Sequence, residues 1–228
     1  LIEDRSDLQP HYWRRFLSAV SADATLREDF AALVHDRGRH VAQQWLEAAL
    51  DQRVEIERAD AAGVLETSVP SAAAMWPQFD GLAHPADWLA RPDSRASLSA
   101  VAVALGAAAG KKSRDAGSAL EQALAGIEAD PSAAFDAARQ ALFTKTGELR
   151  KQIDAPGLNE AADELRRIAE AMDQQAAHRA HARMVRLSRV LLASYRQLKR
   201  DRGLADMADL EACAEHLLAD AELSGWVQ

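Results

Sequence analysis

Leu8, Tyr12, Phe16 and Val20 recur at every fourth position, the spacing of one face of an α-helix over 7–20. Thr25 followed by Glu28 reads as a capping box opening a second helix, with Leu26, Phe30 and Leu33 apolar and a stop near Gly38. Further helices are expected over 41–50, anchored by Trp45 and Leu46, and over 53–68, ending before Pro70. Residues 71–79 and 85–89 read as short helices around Trp76 and Trp88, with Pro85 suited to a first helical turn. Ser94 is placed to cap a helix to Ala109, which Gly110, Lys111 and Lys112 break. Ser113 opens the next, to about Ala129, and Asp130-Pro131 caps one ending near Phe143. Residues 144–152 form a polar loop around Gly147. From Leu158 the pattern runs without Gly or Pro to Arg202, longer than an ordinary globular helix, and a last helix covers 206–219.

Composition agrees with an all-α fold. The chain is 48% hydrophobic but only 5% aromatic, and much of the apolar content is Ala, the strongest helix former. No strand-like alternation of useful length appears, and no fixed-period repeat argues for a solenoid. The expected architecture is an irregular multi-helix domain with one very long helix near the C-terminus. Its segments are a helical subdomain (1–143), a loop (144–157), and the long helix with the terminal helix (158–228). Residues 107–118, rich in Ala, Gly, Lys and Ser, are the candidate flexible connection. Trp13, Trp45, Trp76 and Trp88 are expected to anchor the core, and Trp226 to pack against further parts of a parent protein. Leu1 in place of Met, and the apolar ending Trp226-Val227-Gln228, suggest an excised domain. With a single cysteine, Cys213, no intramolecular disulfide framework can form, which fits a reducing cytoplasm. No apolar run is long enough for a membrane span, and no signal peptide is visible.

Charge changes the picture in one place. Between His178 and Arg202 stand Arg179, Arg183, Arg186, Arg189, Arg196, Lys199, Arg200 and Arg202, opposed only by Asp201. That stretch is +7 in a chain of net charge −8, so the remainder carries −15. At 100° per residue, Met184, Leu187, Leu191, Tyr195 and Leu198 share one face, and Arg179, Arg183, Arg186, Arg189, Arg196 and Arg200 lie opposite. Such a row of guanidinium groups can follow a phosphate backbone. The competing expectation is a solvated face, or one paired with the acidic remainder.

The segment Phe143 to Lys151, FTKTGELRK, offers a second candidate: a Gly147 turn flanked by Lys145, Arg150 and Lys151, able to hold a phosphate or to serve as a solvated connector. Other motifs are decoys. Gly106 to Ser113 resembles a phosphate-binding P-loop, but its first gap is one residue short, an extra Lys precedes the Ser, and a helix rather than a strand leads into it. His178 and His181, three apart, lack supporting carboxylates for a metal. Cys213, with His216 nearby, reads as a small core residue, and Asp206 to Asp209 as a helix cap.

Val190 to Leu218 reads VLLASYRQLKRDRGLADMADLEACAEHLL. Tyr195 and Lys199 sit in one helix, Gly203 in a turn, and Asp206, Met207, Asp209 and Leu210 open the next. This resembles the segment preceding Walker B in UvrD/RecB/AddA-like superfamily 1 DNA helicases, where Tyr-x-x-x-Lys precedes an Asp-Phe-x-Asp-Leu-Leu-like signature. Phe143 to Lys151 is similar to the AddA-like pattern Leu-Thr-Lys-x-Gly-x-Pro-Arg-Lys, with Leu149 in place of the Pro. The stronger match covers about the last fifth of the chain. The resemblance implies a helical insertion of the first motor domain that guides DNA within an ATP-dependent helicase, or helicase-exonuclease, of double-strand-break repair. It implies ATP and Mg in the parent, with no cofactor and no catalytic residue here, since the P-loop Lys and metal-binding Asp are missing from this stretch. Implied partners are DNA, the remaining motor domains and a second helicase-nuclease subunit, in the bacterial cytoplasm and away from membranes. The nucleic-acid-binding candidates are Lys145, Arg150, Lys151, Arg179, Arg183, Arg186, Arg189, Arg196 and Arg200. The alternative is a helical protein–protein interaction module with no nucleic-acid role.

Overall fold

The structure, a computed structural model, describes residues 5–219, less the side chains of residues 215, 216, 218 and 219. Trp226 and His216, named above, lie outside that description. The fold is all-α. Its helices are α1 (Gln9–Ala22), α2 (Ala24–Arg37), α3 (Arg39–Asp51), α4 (Arg53–Ala61), α5 (Ala72–Met75), α6 (Pro92–Ala107), α7 (Lys111–Ala125), α8 (Pro131–Leu142), α9 (Leu158–Arg202) and α10 (Met207–Ala219), with 3-10 turns at Pro77–Phe79 and Pro85–Ala90. The 45-residue α9 is the expected long helix. No described helix is long and apolar enough to cross a membrane.

Two compact units divide the chain. One joins the chain up to Val69 with the chain from Arg179 onward; the other is Pro70–His178. The boundaries at 143 and 158 suggested by composition fall inside the second unit, because a loop separates helices in sequence without separating cores.

In the first unit the i, i+4 stripe of α1 is buried, and Tyr12, Phe16 and Val20 pack with Leu33, Leu46, Leu50, Leu187, Leu191, Tyr195 and Leu198. Tyr12 meets Tyr195 edge to face at 5.5 Å, and its hydroxyl donates to Glu47 at 2.7 Å. Burial and that carboxylate together push the Tyr12 phenol well above its usual range. Gln9 and the Trp13 indole also donate to Glu47, which ties α1 to α3 through three donors. Trp45, expected in the core, is 41% exposed and lies under the Arg37 guanidinium instead. The core side of α3 is taken by Ala42, Leu46, Ala49 and Leu50, and Trp45 points away from it.

Several helix starts differ from the sequence expectation for the same reason: a cap is chosen by geometry as well as by residue type. Asp23, not Thr25, caps α2, accepting from Leu26 N at 2.9 Å. Pro92 begins α6 ahead of Ser94, and α7 starts at Lys111, so both serines are buried inside their helices. Asp130 does cap α8, accepting from Ala133 N at 2.9 Å. The fourth helix stops at Ala61 rather than 68. Gly63 takes φ +70°, its N–H reaches Asp60 O, and Val64 N–H reaches Ala59 O at 3.0 Å, a Schellman end that satisfies the last carbonyls.

The second unit packs α6, α7, α8 and the first half of α9 around Leu98, Leu105, Leu120, Ile127, Phe135, Leu142, Leu165 and Ile168. Trp76 and Trp88 are only partly buried against this core, and Trp88 donates to Glu164 at 2.8 Å. Small residues let α6 and α7 approach backbone to backbone. A Cβ on Gly117 would stand 2.7 Å from Ala102 O and 2.7 Å from Gly106 N.

Candidate functional site

The arginines of α9 do not form an open row. In the first unit, α2 and α4 flank this half of the helix and bring carboxylates to it. Arg186 holds Asp29 with a two-pronged contact, Nε to Oδ2 at 2.7 Å and Nη2 to Oδ1 at 2.9 Å. Arg183 reaches Asp36 at 3.3 Å and lies 3.8 Å from Asp29. Arg189 bonds Asp60 and Glu66, and Arg196 bonds Glu57. The hydrogen bond to Asp29 drives the Arg186 guanidinium further up in pKa, and those to Asp60 and Glu66 do the same for Arg189; Arg189 in turn lowers Asp60. Arg179 and Arg200 are exposed near the two ends of the stretch. Of the two expectations for this face, pairing with the acidic remainder describes Arg183, Arg186, Arg189 and Arg196.

Lys199, counted with the basic stretch, is instead 5% exposed and sits in a polar cluster at the α9–α10 turn. Asp206 is the hub. It accepts from the Tyr195 hydroxyl at 2.8 Å, from Lys199 Nζ at 3.0 Å and from Arg53 of α4. Lys199 also bonds both oxygens of Asp209. Asp206 and Asp209 cap α10 reciprocally: Asp209 N–H donates to Asp206 Oδ1 at 3.1 Å, and Asp206 N–H to Asp209 Oδ2 at 2.9 Å. Gly203 closes the turn at φ +62°, with its own N–H on Arg200 O and Leu204 N–H on Lys199 O. Lys199 Nζ and the Arg53 guanidinium also sit 4.9 and 5.7 Å from the Tyr195 ring centroid. Burial alone would raise the Asp206 carboxyl. Lys199, Tyr195, the Asp209 backbone and Arg53 outweigh it and hold the group at about 2. Burial and Asp206 push the Tyr195 phenol up, so it stays a neutral donor.

The third candidate, in the second unit, is a hairpin. Phe143 and Leu149 pair as an isolated antiparallel bridge, with Gly147 N–H on Thr144 O and Arg150 N–H on Leu142 O. Lys145, Arg150 and Lys151 are exposed on it. An open groove of about 660 Å³ runs beside the hairpin, lined by Arg150, Lys151 and, from α7, Lys112. A second groove, sharing Gln140, Thr144 and Arg150 with the first, is also lined by Arg139 and Lys145. Arg150 donates to Gln140 O at 2.9 Å, and Lys112 to the Gln152 side chain. The sequence reading missed Lys112 and Arg139: the first looked like a helix breaker and lies far along the chain from the turn it faces, and the second belongs to the last turn of α8, outside the loop motif.

The remaining motifs have structural surroundings. The Gly106–Ser113 stretch joins two helices, with Ser113 buried inside α7. His181 Nε2 lies 2.7 Å from Leu65 O and 3.0 Å from Ser68 Oγ. Among the described residues no group of three or more His, Cys, Asp or Glu is arranged to hold a metal. Cys213, expected in the core, is exposed, because α10 turns that side outward. Compared with known proteins, the chain matches no family model, no curated protein and no solved structure.

Proposed function

We propose that this chain is a DNA-guiding helical accessory region of a UvrD/RecB/AddA-like, ATP-dependent DNA helicase of bacterial double-strand-break repair. One observation supports the reading above the rest. The residues that carry the resemblance, Tyr195, Lys199, Asp206 and Asp209, interlock across one helix–turn–helix, so the spacing that suggested the family is also the spacing this geometry requires. Their role here is structural: they fix the direction in which α10 leaves α9. ATP and Mg belong to the motor that such a region would serve, and DNA, the motor domains and a second helicase-nuclease subunit are its partners. The chain itself guides DNA and performs no chemistry.

The test is salt-dependent binding. Fluorescence anisotropy with a labelled single-stranded oligonucleotide should show affinity falling steeply between about 50 and 200 mM salt. Absence of binding at the low end overturns the reading.

A second reading, a helical interaction module without a nucleic-acid role, is favoured by the internal pairing of Arg183, Arg186, Arg189 and Arg196. No DNA binding, together with self-association in sedimentation, would establish it.

A further inference from the structure

We infer that the nucleic-acid contact of this chain is the hairpin and the two grooves beside it, and that the ligand there is the phosphodiester backbone of DNA. The inference rests on the DNA-guiding reading and moves the contact off α9. Lys112, Arg139, Lys145, Arg150 and Lys151 converge on the hairpin, and Arg150 lines both grooves. None of the five forms an ion pair with a carboxylate among the described residues, whereas four α9 arginines each have one. Three carboxylates, Asp115, Asp136 and Glu148, also line the grooves, so the five cations leave a local excess of two positive charges in a chain of −8.

The site is held in place before any ligand arrives. The Phe143–Leu149 bridge and the Arg150 N–H bond to Leu142 O fix the hairpin, while the Gln140 carbonyl orients the Arg150 guanidinium and leaves its other donors outward. A pre-positioned guanidinium flanked by ammonium groups suits phosphate oxygens. Bases have no platform. Phe143 is 5% exposed and carries Arg166 over its ring at 5.2 Å, and no other aromatic residue lines either groove. Recognition is therefore of charge and backbone, independent of sequence.

The test compares two substituted chains with the parent, using labelled oligo(dT) and oligo(dA) over a salt series, with circular dichroism and melting confirming the fold. K112E/R150E/K151E should weaken binding by about tenfold or more at 50 mM salt and flatten the log–log salt slope by about 2, the share of three phosphate contacts on a single strand. R183A/R186A should change affinity by less than about twofold, and the two oligonucleotides should bind alike. K112Q/K151Q, which keeps side-chain size, covers the case in which charge reversal perturbs the fold, and should weaken binding by about threefold or more. A groove variant that binds like the parent while R183A/R186A loses affinity overturns the groove and leaves the DNA reading standing. A parent that does not bind overturns both.

Discussion

The Tyr195 hydroxyl donates to Asp206, eleven residues further along the chain, at 2.8 Å, and both side chains are buried. The bond spans the end of α9, the Gly203 turn and the start of α10. A buried carboxylate is costly unless its oxygens are satisfied, and here a phenol, an ammonium, a guanidinium and a backbone N–H satisfy them. The cluster makes the exit direction of α10 a property of side-chain chemistry rather than of an unconstrained turn.

Asp206→Ala should cost about 3 kcal/mol, since it removes the α10 cap and the buried acceptor shared by Tyr195, Lys199 and Arg53, leaving Lys199 with Asp209 alone. Urea unfolding should show a lower midpoint with an unchanged slope. A loss of less than about 1 kcal/mol would mean that the cluster is incidental to stability.

Acid should dissolve the same cluster. The Asp206 carboxyl stands at about 2 in the fold against an ordinary 3.8, so its folded value is depressed. Its stabilisation is complete above the ordinary value and is lost as pH falls from about 4 towards 2, a contribution of about 2 kcal/mol. Melting temperature measured across that window should fall more steeply for the parent than for Asp206→Ala.

Two of the α9 arginine ion pairs should differ in weight. Arg186→Ala leaves the buried Asp29 without its two-pronged partner and should cost about 2 kcal/mol. Asp60→Asn, which weakens the more exposed Arg189 pair, should cost under about 1 kcal/mol. Equal losses in thermal unfolding would contradict this ordering.

Gly117→Ala should be poorly tolerated although Ala is the better helix former. The added methyl would press on Ala102 O and Gly106 N, both backbone atoms of α6, which cannot move aside alone. A destabilisation of about 1–3 kcal/mol is expected, read by chemical denaturation. An Ala substitution that stabilises would show that the α6–α7 approach relaxes freely.

The positions of most helices were legible because each depends on neighbours within a turn or two. The Tyr12–Phe16–Val20 stripe and the uninterrupted run from Leu158 to Arg202 need only helical periodicity. Caps were less legible: Asp23, Thr25, Ser94 and Ser113 are all suitable residue types, and which of them starts a helix is settled by where the preceding chain comes from. Trp45 misled because a large aromatic stabilises equally well by stacking under Arg37 at the surface.

Sequence alone determined that the chain is helical, that α9 is long, and that basic residues gather on it and around Gly147. Those are properties of composition and local spacing. Tertiary structure decided which of these charges remain available. The carboxylates that neutralise Arg183, Arg186, Arg189 and Arg196 come from residues 29 to 66, more than a hundred positions away. Lys112 joins the hairpin cations only because α7 folds beside it. Coulombic attraction acts through space, so a charge pattern read along the chain counts the cations but does not identify their partners.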